Sequence, residues 1–161
     1  MKNSTLCYIE KDGKYLMLHR VKKENDCNRD KWIGIGGKFE DGESPEECMI
    51  REAREETGLD INSWKYRGIV TFVSDKWETE YMHLFTSDDF SGEPIGSDDC
   101  EEGILEWVEI SHVPQLPLWE GDKLFLELLA KDVPFFSMKL RYEGEKLVYA
   151  SVDGKRIDTV R

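Results

Sequence analysis

The chain has 161 residues, of which 39% are hydrophobic and 35% charged, and its formal net charge is −12. That length predicts one domain over residues 1–161, large enough to bury a core without disulfide or metal staples. So acidic a surface opposes a nucleic acid polymer, whose phosphates are neutralised by clustered Lys and Arg, but it admits a small phosphorylated substrate carried by divalent cations.

Met1-Lys2-Asn3-Ser4-Thr5 leads straight into a strand pattern with no signal-peptide-like apolar core, and no apolar run reaches bilayer-spanning length. A cytoplasmic protein without a membrane partner is expected. Runs 5–10 and 14–20 read as strands joined through Asp12-Gly13, a hairpin signal. Residues 21–31 are polar and read as an exposed loop, and 32–37 are short, apolar and punctuated by glycine. Residues 44–57 carry a helix signature: Ser44 as N-cap, Pro45 in the first turn, Glu47 closing a capping box, and Gly58 as the stop. Strands follow at 65–74, 79–86 and 105–110, then a helix over 120–131 with Leu124, Phe125, Leu128 and Leu129 at helical spacing. A terminal hairpin pairs 135–142 with 146–152 about Glu143-Gly144-Glu145. The order β-β-α-β-β-β-α-β-β predicts a mixed α/β sandwich. Cys7, Cys27, Cys48 and Cys100 contain no C-x-x-C and read as reduced thiols, and His19, His83 and His112 lack ligand spacing.

The chemistry concentrates in Gly36-Gly37-Lys38-Phe39-Glu40-Asp41-Gly42-Glu43 and Arg51-Glu52-Ala53-Arg54-Glu55-Glu56-Thr57-Gly58-Leu59. On a helix, Glu52 and Glu55 lie three apart and Glu52 and Glu56 four apart, so their side chains crowd one face. Like charges at that spacing repel by roughly 0.2–0.5 kcal/mol per pair, which a divalent cation relieves. Mg2+ takes such oxygen ligands and completes its octahedron with water and substrate phosphate. Arg51, four residues before Glu55, can fix a carboxylate by a two-point contact. A merely solvated charged helix would account for Glu46 and Glu47 at the helix N-terminus. It would not account for the glycine pair, Glu43 and the second acidic group together.

Those residues fit G-x5-E-x7-R-E-U-x-E-E-x-G-U, with U apolar, at every specified position: Gly37, Glu43, Arg51, Glu52, Ala53, Glu55, Glu56, Gly58 and Leu59. The stretch therefore resembles the Nudix box. The resemblance implies a mixed sheet sandwiched between helices, a loop-helix-loop catalytic motif, and hydrolysis of a nucleoside diphosphate linked to another group. It implies that Glu52, Glu55 and Glu56 supply metal ligands and the general base, without choosing which is the base. It further implies that the Gly37 carbonyl is a metal ligand and that Glu43 and Arg51 position the glutamates. Mg2+ is the implied cofactor, with Mn2+ a possible substitute.

Trp32-Ile33-Gly34-Ile35-Gly36-Gly37-Lys38, the run from Gly96 to Glu102, and Leu118-Trp119-Glu120-Gly121-Asp122 resemble one subgroup, the MutT-type oxidised purine nucleoside triphosphatases. That likeness implies release of a nucleoside monophosphate and pyrophosphate from nucleotides such as 8-oxo-dGTP, a nucleotide-pool sanitation that protects DNA. It implies Trp119 stacked on the base, Asp122 on its edge, Arg20 and Lys38 near phosphate, and Glu102, or its neighbour Glu101, as an auxiliary metal-site glutamate. Gly121 and Ile33 depart from the subgroup, standing where an acidic and a polar base-reading residue are found. Another purine triphosphate, a dinucleoside polyphosphate, a nucleotide sugar, a capped RNA end (which the acidic charge opposes), or a nucleotide-binding module without catalysis are the alternatives.

Overall fold

The computed structural model describes residues 1–96 and 99–158, so Ser97 and Asp98 of the Gly96–Glu102 run lie outside the described residues. Its elements are β1 (Lys2–Lys11), β2 (Lys14–His19), β3 (Trp32–Ile33), α1 (Pro45–Thr57), β4 (Asp60–Ser74), β5 (Glu80–Ser91), β6 (Ile104–Glu109), α2 (Glu120–Ala130), β7 (Phe136–Glu143), β8 (Lys146–Val152) and β9 (Lys155–Arg156). Strands run in the order β3-β2-β1-β5-β4-β7-β8-β9, with β6 on β2. β1 is parallel to β5 and β4 to β7, and β4 is antiparallel to β5.

Cys48 of α1 meets Thr5 on one face of β1, Sγ to Oγ1 3.5 Å. On the opposite face Tyr8 packs against Phe125 of α2, ring centroids 6.1 Å apart. The mixed sheet thus lies between the two helices, as expected. Burying a side chain such as Met49 or Phe125 contributes about 1.5–3 kcal/mol, and both are fully buried.

Two strands extend well beyond the sequence expectation. β4 starts at Asp60, not 65, and β5 continues to Ser91, past 86. Register shifts between Ile61 and Gly68 break the two-residue alternation there, which hides the strand from pattern reading. β3 and β9 are two-residue strands, too short to show any period.

The β1–β2 hairpin positions the site. It pairs only beside its turn, Glu10 with Tyr15 and Lys11 with Lys14, while away from the turn β2 leaves β1 and pairs with β6. The freed edge of β1 is taken by residues 35–39. Cys7 N–H donates to the Ile35 carbonyl at 2.6 Å, Thr5 N–H to that of Gly37 at 2.9 Å, and Phe39 N–H to that of Asn3 at 3.1 Å. The Gly36-Gly37 pair is thereby pressed between β1 and α1. α1 then starts as predicted: Ser44 Oγ accepts Glu47 N–H at 3.1 Å, and the Glu47 carboxylate accepts Ser44 N–H at 3.0 Å. Gly58 at φ 78 ends it.

Candidate active site

α1 buries Cys48, Met49, Ala53, Glu56 and Thr57. One of these is a carboxylate, and it is the key to the site. Glu56 is 7% exposed, and among the described residues its Oε2 is the buried side-chain polar atom left without a hydrogen bond. Burial pushes the Glu56 carboxyl well above its ordinary range. Glu52 and Glu102 add to that rise, while Arg20 and the Gly36 N–H oppose it. A buried carboxylate oxygen that receives no hydrogen bond has to be matched by a proton or a cation.

The surrounding backbone is shaped to the same end. A methyl group on Gly37 would lie 2.5 Å from the Glu52 carboxyl carbon, and one on Gly36 would run into the Thr5 carbonyl. Both glycines are needed for close approach. Arg51 organises the remaining carboxylates. Its Nε and Nη2 bond Glu43 at 2.6 and 2.9 Å, and its Nη1 bonds Glu52 at 2.8 Å and Glu55 at 3.1 Å. Nη2 also donates to the Lys38 carbonyl at 3.0 Å, so a single guanidinium ties the 36–43 loop to α1. Hydrogen bonding from Arg51 holds the Glu43 carboxyl at about 2.

Among the described residues no three acidic, cysteine or histidine side chains converge as a ready-made metal cage. Arg51 draws Glu52 and Glu55 to itself, and Glu55 is 59% exposed. The donor set nevertheless fits a hard divalent cation: an orphaned Glu56 oxygen and Glu52 against a bare glycine, with all donors oxygen. Mg2+ needs only one or two such carboxylates when water and phosphate supply the rest.

These groups form one end of a cavity of about 740 Å³. Glu52, Glu56, Arg51, Gly36, Gly37, Lys38, Arg20 and Glu102 line it there, and Leu6, Ile33, Phe72, Met82, Trp119 and Asp122 are among its other lining residues. Trp119 is 6% exposed and meets Phe72 and Tyr142 edge-on at 5.5 and 4.9 Å between centroids. Its Nε1–H donates to Asn28 Oδ1 at 2.9 Å. Burial pushes the Asp122 carboxyl up to about 8, against a smaller opposing pull from Lys31.

Residues 2–129 match the NUDIX domain family. The chain belongs to that family. It is 33% identical over 135 residues to the uncharacterized Nudix hydrolase YvcI of Bacillus subtilis, covering 81% of this chain and 80% of that one. It is 30% identical over 146 residues to the oxidized purine nucleoside triphosphate hydrolase of Danio rerio, covering 89% and 88%. A MutT protein structure from Bacillus halodurans superposes with a TM-score of 0.84 over 96% of this chain and 99% of that one, at 24% identity, a likeness of fold. The chain is therefore a Nudix hydrolase, an enzyme acting on phosphoric anhydrides of nucleotides, a class that generally uses divalent metal ions.

The Nudix fold brings most of the sequence-derived site residues into one cavity, including Trp119 and Asp122 from the far end of the chain. Glu55 points away from it toward Arg51 and solvent. Arg20 is held by Asp26 at 2.7 Å and Glu102 at 3.2 Å, and Lys23 also bonds Glu102 at 2.8 Å. The Gly37 carbonyl already accepts Thr5 N–H and, at 3.5 Å, the Cys48 thiol. The 21–31 segment corrects the reading of a plain exposed loop. Asp26, Cys27 and Asn28 are half-buried and line the cavity, folded inward by Arg20 and Trp119. Sequence reasoning passed over Asn28 and Phe72, whose residue types and spacing carry no local signal. Among the described residues no helix is long and apolar enough to cross a membrane.

Proposed function

We propose that this Nudix hydrolase is a Mg2+-dependent nucleoside triphosphate pyrophosphohydrolase that releases a nucleoside monophosphate and pyrophosphate from purine nucleotides, oxidised ones such as 8-oxo-dGTP included. Mn2+ is the expected substitute, and nucleotide-pool sanitation in the cytoplasm is the corresponding role. The observation that carries this reading is the continuity of one cavity. The Glu52 and Glu56 carboxylates share its lining with the Trp119 indole, Phe72 and the buried Asp122. A polyphosphate suits the first group and a flat heteroaromatic ring the second. The Danio rerio relative, named for oxidized purine nucleoside triphosphates, supports the same assignment.

Glu52 and Glu56 would hold the metal, with Glu55 and Glu102 able to join once released from their cation partners. The Gly37 carbonyl is engaged by β1. Strand alternation turns the Gly36 carbonyl away from β1, on the side where the Gly36 N–H faces Glu56, and makes it the better-placed backbone ligand. Bound metal supplies charge neutralisation and a more acidic water. The chain's own residues supply the rest. Arg51 and Glu43 lock α1 against the 36–43 loop, and Lys38 brings a mobile positive charge to the cavity mouth. A glutamate of the set accepts the proton of the attacking water. Attack on the β-phosphorus breaks its bond to the α–β bridging oxygen, so the two products are the monophosphate and pyrophosphate.

The test is kcat/KM with Mg2+ across oxidised and normal purine triphosphates, pyrimidine triphosphates, dinucleoside polyphosphates and nucleotide sugars, with product identification. Highest efficiency on a purine triphosphate with pyrophosphate released is expected. Highest efficiency on a nucleotide sugar or dinucleoside polyphosphate, or release of orthophosphate, would overturn the reading.

A further inference from the structure

The base end of the cavity carries a second polar side chain besides Asp122, and half of its hydrogen bonding is already decided. Asn28 belongs to the 21–31 segment and is held through its backbone. Its N–H donates to Asp26 Oδ1 at 3.0 Å, and its carbonyl accepts Lys31 N–H at 2.8 Å. Its side-chain oxygen accepts the Trp119 indole N–H at 2.9 Å. An indole nitrogen only donates, so the carboxamide can take one orientation: oxygen toward Trp119, NH2 away from it. Trp119 is itself held edge-on against Phe72 and Tyr142. Among the described residues no acceptor takes the Asn28 Nδ2 hydrogens, and Asn28 lines the cavity.

We propose that Asn28 is a specificity-determining residue which presents only hydrogen-bond donors to the base, and so selects a base bearing a ring carbonyl oxygen over one bearing an amino group at that edge. The proposal rests on the nucleoside triphosphate reading above and deepens it. A carbonyl oxygen completes the Asn28 amide. An exocyclic amino group sets N–H against N–H and leaves donors unmet on both sides, which discriminates by about tenfold to a hundredfold in a dry pocket. Asp122 does not set this sign by itself. Pushed up to about 8, its carboxyl can donate or accept near neutral pH.

Inosine triphosphate and ATP differ at this level by a 6-oxo against a 6-amino group, and their kcat/KM ratio reads the proposal. Wild type should favour inosine triphosphate by about tenfold or more. Asn28→Asp keeps an oxygen for the Trp119 indole while exchanging the amide donors for an acceptor, so the ratio should fall by at least a further tenfold toward ATP. Asn28→Leu, which loses both functions, should bring the ratio near unity without inverting it. A wild type with no preference, or an Asn28→Asp ratio unchanged because both substrates suffer equally, would make Asn28 a mere latch for Trp119 and overturn the assignment alone. A wild type that hydrolyses no nucleoside triphosphate would overturn the functional reading and the assignment with it.

Discussion

Arg51 grips Glu43 at two points, Nε to Oε2 at 2.6 Å and Nη2 to Oε1 at 2.9 Å, across the gap between α1 and the loop that precedes it. Both side chains are mostly buried, so removing one strands the other. Arg51→Ala should cost about 1.5–3 kcal/mol of stability. The pH dependence follows from Glu43, whose carboxyl is lowered from 4.5 to about 2 by hydrogen bonding to Arg51. A depressed acid contributes stability that is present above the unfolded value and lost as pH falls through the folded one. Thermal melts of wild type and Arg51→Ala should therefore converge as pH drops from 4.5 toward 2. A melting gap that stays constant over that window would contradict the role given to this pair.

Glu56 presents the opposite case, a carboxyl whose burial raises its pKa and whose Oε2 has no hydrogen bond. Glu56→Gln removes the ionisable group while keeping its shape. Turnover should fall by about 100-fold or more. Metal-free melting temperature at pH 8 should hold or rise, because the unmet anion is gone. Near-normal kcat with Mg2+ would remove Glu56 from the mechanism.

Asp122 couples recognition to pH. Its folded carboxyl is raised from 3.8 to about 8, chiefly by burial. A raised pKa contributes stability fully present below the unfolded value and lost as pH rises through the folded one, so the loss spans pH 4 to 8. Asp122→Asn abolishes that slope. The melting temperature of the variant relative to wild type should climb steadily across this range and level off above pH 8. KM for a purine triphosphate should rise while kcat changes little, because the residue adjoins Trp119, its N–H bonded to the Trp119 carbonyl at 3.0 Å, and is not one of the glutamates proposed to hold metal. A pH-independent difference in melting would show that Asp122 is ionised throughout.

Gly121 leaves no space for the acidic residue that the MutT-type pattern has there. A methyl at its α-carbon would lie 2.6 Å from the Tyr142 hydroxyl, which accepts the Gly121 N–H at 2.7 Å. Gly121→Asp should destabilise by about 1–3 kcal/mol through overpacking and should not improve kcat/KM for any oxidised purine. A variant as stable as wild type with enhanced activity on 8-oxo-dGTP would show that Tyr142 yields readily.

Much of this architecture is readable from local chemistry. The Ser44–Glu47 capping box, the Gly58 stop and the Asp12-Gly13 hairpin are written in adjacent residues, and each forms as expected. The Arg51 clamp follows from helical spacing plus one loop glutamate. What escapes is decided at long range. The 21–31 segment folds inward through Lys23 to Glu102, 79 residues apart, and Asn28 to Trp119, 91 residues apart. No window of neighbouring residues encodes such contacts. Bulges between Ile61 and Gly68 likewise scramble the alternation that would have revealed the start of β4. Whether a carboxylate such as Glu56 is buried or, like Glu55, turned to solvent depends on which side of α1 meets the sheet, which the run of glutamates leaves open.

The central claim is that Glu52 and Glu56 bind a divalent cation at the cavity's acidic end. Isothermal titration of Mn2+ or Mg2+ into the purified protein, with and without a non-hydrolysable nucleoside triphosphate, tests it directly. Saturable uptake, tightened by the nucleotide and abolished in Glu52→Gln and Glu56→Gln, is the predicted result. Absence of uptake in either condition, or uptake unchanged in both variants, would contradict the account.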